Sequence, residues 1–382
     1  MPLLRLLLIT VLLVPVAGHA AAALDQLEFK RDGKQQTVSG RIVVTAEDGG
    51  VLLLARDGAL WSVEPQELVG QHSDAKPFEP FTREELSGGL LAELPAGFET
   101  YSTRHYLICH NTSRAYAAWC GALFERLYMA FTNFWTRKGL TLHEPEFPLV
   151  AIVFDSRAAY LEHVRNEVGS GAEAIAGYYS LQSNRITMYD LTGIESLRLA
   201  DARRGSAAQI NRVLAQPEAE QVVATIIHEA THQIAFNSGL QTRYADIPLW
   251  VSEGLAVYFE TPDLDSSKGW RTIGAVNHAR LERFREYLRT RPPASLKSLV
   301  ADDARLRNAR TGLDAYAEAW ALNHYLLQKR PREYLAYLTM LSEKKPLIWD
   351  DPAARLREFQ EAFGEDLSRL DADFLRHVQK LR

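Results

Sequence analysis

Ile226-Ile227-His228-Glu229-Ala230-Thr231-His232-Gln233-Ile234 holds the densest chemistry in this 382-residue chain. The apolar residues Val222, Val223, Ile226, Ile227, Ala230 and Ile234 recur at helical spacing and predict one buried stripe. Pro217-Glu218-Ala219-Glu220 opens that helix, since proline suits a first turn and acids suit its positive end. Asn237-Ser238-Gly239 closes it. His228 and His232 stand four apart and share a face, so both imidazoles can reach one ion. Glu229 follows His228 by ~100° around the axis and lies beside such an ion without needing to bind it.

A catalytic zinc site takes three protein ligands and leaves a fourth position to water. A third histidine ten residues after His228 is excluded, because Ser238 stands there, and Ala235 replaces the glycine of that pattern. The remaining option is an acid on the next helix. Leu249-Trp250-Val251-Ser252-Glu253-Gly254-Leu255-Ala256-Val257-Tyr258-Phe259-Glu260 offers Glu253, with 20 residues between it and His232. A carboxylate among Trp, Val and Leu is costly unless it is paired or bound to a cation. Glu260 and Asp246 are both candidates to orient His228 from behind, a choice the sequence leaves open.

His228-Glu229-x-x-His232 followed by Ser252-Glu253-Gly254-Leu255-Ala256 resembles the gluzincin clan of zinc metallopeptidases, most strongly over residues 220–262. The resemblance implies one zinc ion held by His228, His232 and Glu253, with Glu229 as general base. It also implies an oxyanion-stabilising Tyr or His from a C-terminal helical lobe. Tyr316, in Tyr316-Ala317-Glu318-Ala319-Trp320, lies 63 positions after Glu253, a gap similar to that in the clan's aminopeptidases. His324 is its rival; a core tyrosine and an ordinary helix histidine are the plainer readings of the two. The Gly-x-Met-Glu-Asn signature that reads a free amino terminus in those aminopeptidases is absent, so the implied activity is endopeptidase. Val257 also stands where some relatives place a carboxylate behind the metal. Cys120-Gly121, Gly177-Tyr178-Tyr179-Ser180 and Met188-Tyr189-Asp190-Leu191-Thr192-Gly193 are similar to an uncharacterised family of exported bacterial proteins in the clan, a domain of unknown function. That wider likeness covers most of residues 101–330. The implied fold is α+β: a zincin-like mixed sheet with an active-site helix and a helical C-terminal lobe.

The rest of the chain fits an exported protein. Arg5 and the apolar run Leu6–Val16, followed by Ala20-Ala21-Ala22-Ala23, predict a signal peptide over 1–23 and a periplasmic or secreted location. The run falls short of the ~20 residues that span a bilayer, so no stable membrane insertion is expected. With 43 basic and 48 acidic residues the formal charge is −5, which disfavours nucleic acid as a partner; a peptide or protein substrate is what the resemblance implies.

Residues 24–70 carry four strand-like runs, Leu27–Lys30, Val38–Thr45, Val51–Ala55 and Leu60–Val63, separated by Asp-Gly turns, and predict a small all-β domain, β-barrel-like or a curled sheet. Residues 71–100, with three prolines, read as a linker. A metal-bearing lobe over 101–262 and a helical lobe over 263–382 follow. Within the first, strands at Tyr106–Cys109 and Leu149–Phe154, a long helix from Ser113 to about Arg137, a helix over Arg157–Val168 and a hairpin around Ser183-Asn184 are expected. Residues 191–216 read as an irregular loop or lid. The two cysteines, Cys109 and Cys120, could form an intrachain disulfide or remain buried thiols. The competing function is a non-catalytic envelope binding protein, with a structural zinc and the small β domain as its interaction module. Hydrolysis of non-peptide bonds is a third option.

Overall fold

The computed structural model describes residues 22–168, 175–193, 206–214, 216–260 and 273–382. The expected leader, apart from its last two residues, lies outside the described residues, as do 194–205 and 215 of the expected loop or lid. No described helix is long and apolar enough to cross a membrane. The fold is mixed α and β, and the chain divides into two compact units: Met1–Arg56 with Ser62–Glu79, and Asp57–Trp61 with Pro80–Arg382.

The N-terminal sheet is built on β1 (Ala23–Arg31), β2 (Lys34–Thr45), β3 (Val51–Ala55), β4 (Leu60–Val63) and β5 (Leu68–Pro77). The strands lie in the order β4-β3-β2-β1-β5. Antiparallel pairing joins β1 to β2 and to β5, and β2 to β3. Asp32 and Gly33 adopt φ of 52° and 75°, the left-handed pair that a two-residue hairpin between right-twisted strands requires. Leu27, Phe29 and all of β3 are buried. The expected barrel is corrected here. The sheet is open, because β4 and β5 are its two edges and do not pair with each other.

The second unit holds a mixed sheet of β6 (Glu99–Ser102), β7 (Tyr106–His110), β8 (Leu149–Phe154), β9 (Gly177–Tyr179) and β10 (Arg185–Tyr189), in the order β6-β7-β8-β10-β9. The three inner strands run parallel, and an antiparallel strand closes each edge. β8 is buried on both faces, which explains its unbroken apolar sequence. The helices are α1 (Arg83–Glu93), α2 (Arg114–Lys138), α3 (Arg157–Val168), α4 (Ala207–Leu214), α5 (Pro217–Asn237) and α6 (Leu249–Phe259). They continue as α7 (His278–Tyr287), α8 (Ser295–Ala301), α9 (Ala304–Arg307), α10 (Gly312–Lys329), α11 (Pro331–Ser342), α12 (Pro352–Phe363) and α13 (Leu367–Gln379). The long helix α2 begins where Ser113 accepts from the Tyr116 N–H and ends at Gly139, whose φ is 94°.

One further expectation is corrected. Residues 71–100 are not a plain linker: they carry most of β5, all of α1 and the start of β6. Thr82 and Glu85 start α1 with a capping box. Residues 101–262 and 263–382 both fall in the second unit, where α6 and α10 pack together. Of the two readings left open for the cysteines, the structure has the buried thiols: Cys109 on β7 and Cys120 on α2 are free and act as small core side chains. Burial pushes the Cys109 thiol up to about 12.

Candidate metal centre

Helix α5 lies against the sheet, and polar side chains fix its position there. Buried Gln233 donates to the carbonyls of Val150 and Asn184, at 3.0 and 2.9 Å. Asn237, one turn on, exchanges hydrogen bonds with the Asn184 side chain at 2.7 and 2.8 Å. Asn184 itself sits at φ 61° in the β9–β10 turn, a conformation that Asn tolerates better than most residues. Sheet, hairpin and helix are thereby held in one register.

That register carries His228 and His232, whose Nε2 atoms approach to 3.1 Å. The next helix, α6, brings Glu253 to them. Its Oε2 lies 3.0 Å from His228 Nε2, and its Oε1 lies 3.6 Å from His232 Nε2. A donor atom from each of the three residues falls within 4.8 Å of the others. Among the described residues this is the single group of His, Cys, Asp and Glu side chains able to hold a metal. A tetrahedral ion with bonds of ~2.0–2.2 Å sets its ligands roughly 3.3–3.5 Å apart, so the spacing suits one shared cation. The donors suit it also. Glu260 Oε1 lies 2.6 Å from His228 Nδ1, and by accepting a hydrogen bond from an Nδ1–H it would leave the Nε2 lone pair for a cation. Ser252 Oγ lies 3.3 Å from His232 Nδ1 and donates to Gln241 Oε1 at 3.1 Å, which sets the second ring in the same way.

The choice between Glu260 and Asp246 is thus resolved for Glu260. Asp246 is taken by Arg355, whose Nε donates to it at 2.9 Å. Sequence reasoning did not single out Ser252 or Gln241 behind the second imidazole. A polar Ser beside Glu253 in an otherwise apolar helix was the available signal.

The charges at the centre are strongly coupled. Burial alone would raise the Glu253 carboxyl, but His232 and His228 outweigh it and hold the group below the ordinary range. Burial also opposes ionisation of Glu260, and its bond to His228 with the nearby Arg280 lowers it overall. Glu229 behaves oppositely. Burial pushes it up, and the imidazoles only partly offset that. Its Oε2 accepts the Tyr179 backbone N–H at 2.8 Å, so the carboxylate reaches from α5 to edge strand β9.

Tyr316 on α10 joins this group. Burial first, then the charges of Glu253 and Glu229, push its phenol well above the ordinary range, so it remains a proton donor. His324, the rival, does not converge here. Its Nδ1 lies 3.0 Å from His377 Nε2 on α13, and its ring packs against Trp320 and Tyr258.

A family model described as a protein of unknown function (DUF1570) matches residues 222–348. The matched span takes in His228, Glu229, His232, Glu253, Glu260 and Tyr316. No curated protein matches the chain.

Proposed function

We propose that this chain is an exported zinc-dependent endopeptidase of gluzincin type, on a zincin-like fold. The observation that carries the reading is Glu229. A closed structural ion needs no extra carboxylate beside it, yet Glu229 interacts electrostatically with His228, His232 and Glu253 while standing outside the group able to share an ion, and its Oε2 accepts the Tyr179 N–H. Imidazole and carboxylate donors favour zinc among the available divalent ions, and His228, His232 and Glu253 would hold it. The ion when bound supplies Lewis acidity, polarising a peptide carbonyl and bringing the pKa of a water toward neutrality.

The chain's own groups then share the work. Glu229 accepts the proton of the attacking water at its carboxylate and later passes it to the leaving amine, and burial raises its basicity for that task. Tyr316 donates its phenolic hydrogen bond to the developing oxyanion. Strand β9 is the sheet edge beside Glu229, and an extended peptide can add to it as a further strand. A leader at residues 1–23 would deliver the enzyme to the periplasm or beyond.

Glu229→Gln keeps the shape and removes the base. It should retain the metal while losing peptide hydrolysis by ~10²–10⁴-fold in kcat. Digestion of a peptide library with parent, variant and chelated parent reads this directly. A variant as active as its parent would reject the general-base assignment. Metal bound with no cleavage by the parent would favour the binding-protein reading.

A further inference from the structure

Arg280 stands behind both the metal ligands and the oxyanion donor. It lies on α7, where the Asn277 side chain caps the helix by accepting the Arg280 N–H at 3.1 Å. Its Nη2 is 3.7 Å from Glu260 Oε2, the oxygen not engaged by His228. Its Cζ lies 5.8 Å from the centre of the Tyr316 ring, within the range of a cation–π contact. Its side chain is 22% exposed, so water screens these contacts only in part. Glu260 is buried and bears a full charge beside a neutral imidazole once that imidazole binds a cation, so it needs a second cationic partner. Among the described residues, Arg280 is the one that faces Glu260 and Tyr316 together.

We propose that Arg280 is a positioning residue that sets two parts of the centre at once: the orientation of His228 through Glu260, and the placement of the Tyr316 hydroxyl through its ring. The inference rests on the metallopeptidase reading for its catalytic half; the metal-binding half stands without it. Lysine preserves the charge opposite Glu260 but is a poorer match to both partners, because it lacks the flat guanidinium fork.

A control for simple helix docking lies one turn away. Arg283 also ties α7 to α10, with Nε 2.7 Å from Asp314 Oδ1, and it contacts none of the metal-centre residues among its hydrogen bonds and ion pairs. Zinc affinity of the full chain, measured by competition with a chromogenic chelator, should fall ~10-fold in Arg280→Met and recover in part in Arg280→Lys. Arg283→Met should bind zinc like the parent. On a cleaved peptide, Arg280→Met should lower kcat and leave KM near the parent value. Zinc affinity unchanged in Arg280→Met overturns the proposal, as does an equal loss in Arg283→Met. A rise in KM alone would also overturn it, by making Arg280 a substrate contact. If the parent binds zinc but cleaves nothing, the metallopeptidase reading fails while the affinity series still decides the role of Arg280 toward His228.

Discussion

At the residue scale, each imidazole of the centre is fixed by a different kind of partner. Glu260 holds His228 and Ser252 holds His232. A carboxylate makes its imidazole the more basic donor, so the two imidazoles are not equivalent as candidate ligands. Glu253 was legible as a candidate third donor because an acid in a mostly apolar helix calls for a cationic partner. Glu260 was not separable from Asp246, because each follows α5 at an ordinary distance and only tertiary placement hands Asp246 to Arg355. The Tyr179 contact was invisible for another reason: it uses a backbone N–H, which every residue but proline has. Tyr316 carries a testable role. Tyr316→Phe removes one oxyanion donor and should cost ~10²–10³-fold in kcat with zinc content unchanged. Steady-state kinetics beside metal analysis checks this, and wild-type kcat in the variant would leave Tyr316 as a packing residue.

At the scale of elements, the centre depends on how closely α6 meets α10. Gly254, next to Glu253, makes that approach feasible. A Cβ there would come within 2.7 Å of the Ala319 carbonyl oxygen on α10 and would also strike the Asn323 amide. Asn323 cannot yield freely, since it donates to the carbonyls of Trp250 and Ala319, each at 2.8 Å. Gly254→Ala should therefore destabilise the fold by about 1–3 kcal/mol, through overpacking. It should also weaken zinc binding by moving Glu253. Denaturant unfolding and chelator competition read the two effects, and a variant as stable as its parent would mean the helices separate readily. Elements with strong apolar periodicity or clear caps were readable in advance: α2, β8, α5 and the β9–β10 hairpin. β5 was missed because Leu68–Pro77 has no alternating apolar pattern. The helix α1 was missed because nearby prolines masked the Thr82–Glu85 capping box, which was there to be read.

At the scale of the molecule, the helices after α6 form part of one core rather than an appended lobe. α13 returns to α10 and places His377 against His324. Burial first, then His377, depress His324 to about 4; Lys329 and Lys380 add to the burial that lowers His377. An unfolded histidine titrates near ~6.5, so both groups take up protons more readily once the chain unfolds. The stability they confer is fully present above that value and is lost as pH falls from ~6.5 through about 4. Stability against denaturant, followed from pH 7 downward, should decline less steeply in His324→Gln than in the parent. Parallel curves would show that this pair does not contribute. Among its described residues the first unit offers no comparable group of metal-ligating side chains, and its open sheet was harder to foresee. Strand runs and turns reveal pairing, whereas closure depends on which edges meet.

The central claim is that His228, His232 and Glu253 grip one zinc ion. Elemental analysis of the full chain, purified without added metal, tests it most directly when run beside Glu253→Ala. The account predicts about one zinc per parent chain and a marked loss in the variant, with Glu229→Gln still loaded. A parent free of zinc and unable to take it up, or a Glu253→Ala protein that retains it in full, would contradict the account.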